Sequence, residues 1–325
     1  MNKKKHLRIA IVDCGHPAHV ANGVLDFVRD LYDIELTNAT DADYVIHSCM
    51  GYDVLKYTGV RIFVSGEMVS PDFNISDYAL AFDQMNLGDR NLWLPLIRLY
   101  SKSYDYLCQP REDPAKLKEK KTGFCAYVMS NTKNSAPERV EIFDKLNAYK
   151  TVSSGGRWRN NTSGPVKDKL AFQRSHKFVI AFENHSHPGY LTEKFAEAAS
   201  AGAIPIYWGD PTIAEYFNPR AFINCHDYPH FDAVAAHVAE VDQNEDMYAS
   251  YMTAPWFRNG IERPALRKAT IVEFLQNIFD PPVEQAYRRN RSRWGQKYEA
   301  QLARMWDQPL THALHQLRNR LRGKR

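Results

Sequence analysis

The sequence predicts an α/β protein of two Rossmann-like domains facing across a cleft, followed by a basic helical tail. Three observations carry that expectation. Short apolar runs alternate with helix-forming segments along the chain, the order that builds parallel sheets. The alternation is run through twice, once on each side of a polar, proline-containing stretch at residues 101–121. At 325 residues and 44% hydrophobic content, the chain is also long enough for two cores of ordinary size.

In the first half, Leu7 to Val12 reads as a strand and His19 to Tyr32 as a helix. Ile34 to Leu36, Tyr44 to His47, Arg61 to Ser65 and Tyr78 to Phe82 read as further strands. In the second half, Phe124 to Met129 reads as a strand and Glu138 to Lys150 as a helix. Phe178 to Phe182 is wholly apolar, the mark of a parallel strand buried on both faces. Pro188-Gly189 breaks the chain, and Thr192 to Ala201, rich in Glu, Lys and Ala, reads as a helix. Ala203 to Trp208 returns as the next strand, and Gly209-Asp210-Pro211 ends it. A helix near Val234 to Glu240 follows, and Ala265 to Phe279 closes the core. The domains are placed at 1–122 and 123–282, with 265–282 able to cross back to the first domain, and the tail at 283–325.

No stretch approaches the ~18 uninterrupted apolar residues of a membrane span. The basic-then-apolar start resembles a signal peptide, but Arg8 interrupts the apolar run and Asp13 ends it, so a first strand is expected. Five scattered cysteines, Cys14, Cys49, Cys108, Cys125 and Cys225, point to a reducing cytosol and away from a disulfide framework or a zinc site. Residues 283–325 hold eleven Lys/Arg and three acidic residues, against 42 and 38 in the whole chain. The tail is therefore strongly basic and the body mildly acidic. Leu310, Leu314, Leu317 and Leu321 form one apolar stripe on the cationic tail, the pattern of a peripheral contact with the inner face of the plasma membrane. The same stripe suits packing on the protein's own surface or on a second subunit. A nucleic-acid partner is not expected, because the upstream domains offer no reading element.

The segment Phe178 to Asn224 reads as a β-α-β unit whose helix begins just after a glycine turn and carries Lys194 in its first turn. The free N–H groups of a helix start, with a cation beside them, suit a diphosphate and point to a nucleotide or nucleotide-sugar site. A lysine in a first helical turn is disfavoured by the helix dipole unless an anion reverses the penalty; a solvated lysine is the plainer alternative. Arg159 follows Gly155-Gly156, whose missing side chains let a ligand approach the backbone. Its planar fork of donors suits phosphate, although Arg157 is only two residues away. Glu67 follows Ser65-Gly66 at the end of an apolar strand, where such sheets open into their ligand crevice; it reads as a general base or as a surface residue closing a turn.

Three blocks carry a family resemblance. Phe182-Glu183-Asn184, Gly189-Tyr190-Leu191-Thr192-Glu193-Lys194, Ile204 to Pro211 and Phe217 to Asn224 together resemble the donor-binding signature of the α1,3-fucosyltransferases. Ser65-Gly66-Glu67, Pro71 to Asn74 and Asp77 to Asp83 are similar to the amino-terminal motif of that family, and Val152 to Asn160 to its glycine-rich turn and arginine. The resemblance implies a GT-B fold, acceptor domain first and donor domain second. It further implies inverting transfer of fucose from GDP-fucose, most commonly α1,3 to GlcNAc or Glc of an N-acetyllactosamine or lactose-type acceptor. An oligosaccharide, or a lipid-linked or lipopolysaccharide glycan, is the implied partner.

In the family pattern the catalytic base falls on Glu67, and the donor-binding residues on Arg159, Asn184, Tyr190, Glu193 and Lys194. Glu193 could accept from a ribose or fucose hydroxyl, or simply favour a helix start. Glu183 reads as structural, and Tyr207 and Trp208 as core. The chain departs from the family at His185-Ser186-His187-Pro188; two histidines without a third ligand make a poor metal site. Asp41-Ala42-Asp43 reads as a polar turn before a strand, and no obligatory metal is expected. The alternatives are the same fold with another nucleotide sugar or an α1,4 or α1,2 linkage, or a non-catalytic glycan-binding protein.

Overall fold

The computed structural model describes residues 3–15, 23–130, 133, 135–289 and 292–307. The chain divides into two compact units: residues up to Leu94 together with those from Lys268 onward, and Pro95–Arg267.

The first unit is built on strands β1 (His6–Val12), β2 (Asp33–Leu36), β3 (Tyr44–His47), β4 (Val60–Val64), β5 (Tyr78–Ala81) and β6 (Asn91–Trp93). They form one sheet in the order β2-β1-β3-β4-β5-β6, every pair parallel. Every residue of β3, β4 and β5 is buried, as a parallel sheet covered on both faces requires. Of the helix expected over 19–32, residues 23–25 are helical and 26–31 form turns; residues 16–22 lie outside the described part.

Part of the cover comes from far along the chain. Helix Lys268–Phe279 buries Ile271, Leu275, Ile278 and Phe279, a spacing that lines one helical face. Its Phe279 ring stands edge-on to Tyr44 at 4.8 Å and to Tyr32 at 5.7 Å, and Phe274 meets Tyr78 at 6.2 Å. Lys5 Nζ donates to the carbonyls of Phe279 and Pro281 at 2.6 and 2.7 Å, near the helix end, where a cation is favoured.

The described part of the basic tail packs on this unit, which is the plainer of the two readings of its sequence. Backbone N–H groups of Arg288 and Arg289 donate to Asp77 Oδ1 at 2.8 and 2.7 Å. Helix Arg293–Trp306 pairs its Glu299 with buried Arg61 at 2.8 Å, and its Tyr298 hydroxyl donates to Asp72 at 2.8 Å. Trp306 packs against Tyr52 at 5.5 Å. The tail is thus not a separate element from residue 283; its leucine stripe, Leu310 to Leu321, lies outside the described residues. Among the described residues no helix is long and apolar enough to cross a membrane.

The second unit carries β7 (Gly123–Tyr127), β8 (Val152–Ser154), β9 (His176–Phe182), β10 (Ile204–Trp208) and β11 (Ile223–Asn224). Their order is β8-β7-β9-β10-β11, again all parallel. The first boundary falls at Leu94/Pro95 and not at 122. The stretch 101–121, read as a polar connection, folds as helices Ser101–Leu107 and Pro114–Lys118, whose Tyr104, Leu107 and Leu117 are buried in this unit. The Ile97 N–H also donates to Leu191 O at 3.2 Å. In each sheet the growth direction reverses after its first strand, so one crevice opens at the carboxyl ends of β1 and β3 and another at those of β7 and β9.

Candidate functional site

At the second of these crevices β9 runs into Glu183 and Asn184, a loop turns back through Gly189 at φ +81°, and helix Glu193–Ser200 begins. Only glycine adopts that backbone angle without strain. Glu183 is completely buried. Its Oε1 accepts from the Thr192 N–H at 2.7 Å, and its Oε2 from the Thr192 hydroxyl at 2.6 Å. Lys194 Nζ donates to Glu183 Oε2 at 3.0 Å and to Thr192 Oγ1 at 2.8 Å, and lies 3.5 Å from Glu193 Oε1. A buried carboxylate therefore ties the strand end, the residue flanking the helix and the first-turn lysine into one cluster. Burial by itself pushes the Lys194 ammonium down, but Glu183 and Glu193 outweigh it and the net shift is upward. Glu193 is pushed up by burial and more strongly down by Lys194 and Lys169, so it stays ionised.

Asn184 is held from the other side. Its Oδ1 accepts from Arg139 Nη1 at 3.0 Å, and its carbonyl accepts from the Ala136 N–H at 2.9 Å. Arg139, 5% exposed, also donates from Nη1 to the Ser135 hydroxyl and from Nε to the Tyr127 hydroxyl, at 2.8 and 3.2 Å. Tyr127, the last residue of β7, feels the charges of both Arg139 and Lys194. Tyr190 is buried at 3% exposure within the loop.

Arg159 sits across β7 in the loop after β8. That loop lies so close to the strand end that a Cβ on Gly156 would stand 2.0 Å from Met129 O and 2.4 Å from its carbonyl carbon. The Trp158 N–H donates to Met129 O at 3.0 Å, and Asn160 Nδ2 to Gly156 O at 2.7 Å. These contacts hold Arg159 at φ +43°, in the left-handed region where a non-glycine residue is uncommon. Its guanidinium lies over the Trp158 ring at 4.6 Å and pairs with Asp144. Gly156→Ala is expected to destabilise the protein by about 1–3 kcal/mol, because backbone and not a flexible side chain must move; urea unfolding measures the loss.

Of the residues singled out from the sequence, Asn184, Tyr190, Glu193 and Lys194 are brought together around the end of β9, and Arg159 lies on the β7–β8 side of the same unit. Tyr127 links the two sides: its ring stands edge-on to Trp158 at 6.3 Å. Glu67 belongs to the first unit, in the exposed loop after β4. Its N–H donates to the Ser65 hydroxyl at 3.0 Å, and its carboxylate has no hydrogen bond or ion pair among the described residues. Glu183, read from the sequence as structural, ties the cluster together, and Arg139, in the helix Glu138–Tyr149, is the participant that sequence reasoning missed.

The remaining candidates are engaged within the protein. Tyr207 is fully buried and accepts from the Asp210 N–H at 2.9 Å, while Trp208 stacks on Phe182 and His226. His187 Nδ1 contacts the Pro188 carbonyl at 2.9 Å, and the Ser186 hydroxyl between the two histidines donates to Gly209 O at 2.6 Å. Asp41 pairs with Arg8 at 3.0 Å in the turn before β3. Among the described residues no group of three or more His, Cys, Asp or Glu is placed to hold a metal ion.

Known proteins match this arrangement. The model of the carboxyl-terminal part of glycosyltransferase family 10 (fucosyltransferase) matches residues 118–277, and that of the amino-terminal domain of alpha-(1,3)-fucosyltransferase FucT matches residues 9–100. Alpha-(1,3)-fucosyltransferase FucT of Helicobacter pylori is 34% identical over 228 residues, covering 60% of this chain and 47% of the relative. Human alpha-(1,3)-fucosyltransferase 4 is 32% identical over 170 residues, 50% of this chain and 31% of the relative. The chain thus spans about half the length, or less, of these curated relatives. A crystal structure of an alpha1,3-fucosyltransferase with GDP-fucose superposes with a TM-score of 0.74 at 27% identity, over 90% of this chain and 95% of that one. HepE of Anabaena, in complex with UDP, gives 0.53 at 9% identity over 85% of this chain and 99% of that one, a likeness of fold alone.

Proposed function

This chain belongs to glycosyltransferase family 10, the fucosyltransferases, and from that membership we propose that it transfers fucose from GDP-fucose to a glycan hydroxyl with inversion at the anomeric carbon. The acceptor we propose is GlcNAc or Glc of an N-acetyllactosamine or lactose-type glycan, joined through an α1,3 linkage.

The observation that carries the donor half is the cluster at the carboxyl end of β9. There a helix start, a partly buried ammonium and Asn184 converge where a doubly wound sheet receives a nucleotide. In the reaction the acceptor oxygen forms a bond to the anomeric carbon as the bond from that carbon to the β-phosphate oxygen breaks. Glu67 takes the acceptor proton. Lys194 and Arg159 stand opposite the charge that develops on departing GDP, a stabilisation worth most where water is excluded. Those two cations and the helix start supply the positive charge that a divalent metal provides in other transferases.

The test is GDP release from GDP-fucose with N-acetyllactosamine, with lactose and without acceptor, all in EDTA. Acceptor-dependent release is expected. Tight GDP binding without release would redirect the reading to another sugar, linkage or acceptor; no GDP binding would overturn the donor site.

A further inference from the structure

We propose that Glu183 is the positioning residue of the donor site: it holds Lys194 as a fixed ammonium ion ready for the diphosphate. The inference rests on reading the β9 crevice as the GDP-fucose site.

Three features argue for it. The Glu183 backbone is locked into the sheet, its N–H donating to Trp208 O at 2.9 Å. Its side chain packs closely on Gly209, where a Cβ would stand 2.4 Å from Glu183 Cγ. And both of its oxygens are engaged, by Thr192 and by Lys194. Two forces oppose a charged Lys194: burial, and the positive end of the helix dipole. The groups that bear on Lys194 are Glu183 at the end of β9, Glu193 on its own helix, Tyr190 in the loop, Tyr127 at the end of β7 and Tyr100 ahead of helix Ser101–Leu107. Burial pushes the Tyr127 and Tyr100 hydroxyls up, so they stay neutral near neutral pH. The counter-charge comes from the two glutamates: burial pushes the Glu183 carboxyl up, opposed by Lys194 and by the two hydrogen bonds from Thr192. Glu193, at 3.5 Å, is the looser partner and the one that an incoming diphosphate can replace; Glu183 remains.

The sign of the effect follows. Without the Glu183 charge, burial lowers the Lys194 pKa, so the ammonium is lost as pH rises. Glu183→Gln keeps the shape and an acceptor for Thr192 while removing the charge. In this variant the KM for GDP-fucose, and the Kd for GDP, should rise about tenfold or more between about pH 7 and about pH 9, while the unaltered enzyme stays nearly flat. The kcat at saturating donor should change less. In a Lys194→Gln background, Glu183→Gln should add little further loss of GDP affinity. A Glu183→Gln profile parallel to that of the unaltered enzyme would overturn the proposal.

Should Glu183→Gln not fold, amine acylation of the unaltered protein near pH 8 decides the matter. Lys121, whose ammonium donates to the Arg174 and Ala201 carbonyls and is pushed down to about 7 chiefly by burial, should acylate at least about tenfold faster than Lys194. Equal rates would refute the coupling. This readout needs no donor, so an enzyme that failed to bind GDP would sink the donor assignment and leave the Glu183–Lys194 question answered separately.

Discussion

Glu67→Gln lowers fucosyl transfer by about 10³-fold or more and leaves GDP binding unchanged. A positioned general base contributes on the order of 10²–10⁴-fold, and glutamine cannot take the proton. The substitution is nearly isosteric at an exposed loop position whose carboxylate has no hydrogen bond or ion pair among the described residues. Stability should therefore shift by no more than about 0.5 kcal/mol. The residues proposed to hold GDP all lie in the other unit. Turnover with N-acetyllactosamine and calorimetric GDP affinity, measured on one preparation, check both halves. Full activity would remove Glu67 from the mechanism, and lost GDP binding would reassign it to the donor.

Asp77→Ala costs the first unit about 3–5 kcal/mol, a large share of the roughly 5–15 kcal/mol that holds a typical domain folded. Asp77 is completely buried. Its carboxylate accepts the N–H groups of Arg61, Arg288 and Arg289 at 2.7 to 2.8 Å and lies 3.3 Å from Arg289 Nε. Alanine leaves buried donors without acceptors and a nearly buried guanidinium without its counter-ion, and each loss carries a desolvation penalty. Urea unfolding by tryptophan fluorescence, with Trp306 packed on this unit, reads the loss directly. A shift under about 1 kcal/mol would mean that the tail contributes little to the stability of the sheet.

Much of the fold was legible because a parallel sheet covered on both faces needs apolar strands: β5 and β10 are apolar throughout, and β3, β4 and β9 each carry an apolar run of three to five residues. The strands that escaped are short and partly polar. β8 is Val-Ser-Ser, and its place depends on Asn161, whose side chain accepts from the Ser154 N–H at 2.7 Å and donates to Val152 O at 3.0 Å. Helix Pro114–Lys118 had its signal in Asp113-Pro114, a capping residue before a first-turn proline, but the lysine run around it reads as solvated loop. The candidate site was legible where residues share a short segment, as Thr192 and Lys194 do. It was not where partners come from separate elements. Arg139 joins a residue at the end of β7 to one after β9, and no local spacing encodes that. The tail was misread for the same reason: its charge pattern was visible, but its partners Asp77 and Arg61 lie more than two hundred positions earlier.

The first unit is assembled from segments that bracket the second, and this sets an order of events during synthesis. A ribosome delivers β1 to β6 first, and helix Lys268–Phe279, which covers Tyr44 and Tyr78, only after the whole of Pro95–Arg267. At ~5–20 residues per second that interval is roughly ten seconds or more. The second unit, a continuous stretch, can close on itself meanwhile. The early sheet waits with aromatic surface bare, a template for wrong pairing unless something shields it. In the nascent chain, the amino-terminal sheet is thus the part that stays uncovered longest, until helix Lys268–Phe279 has been made.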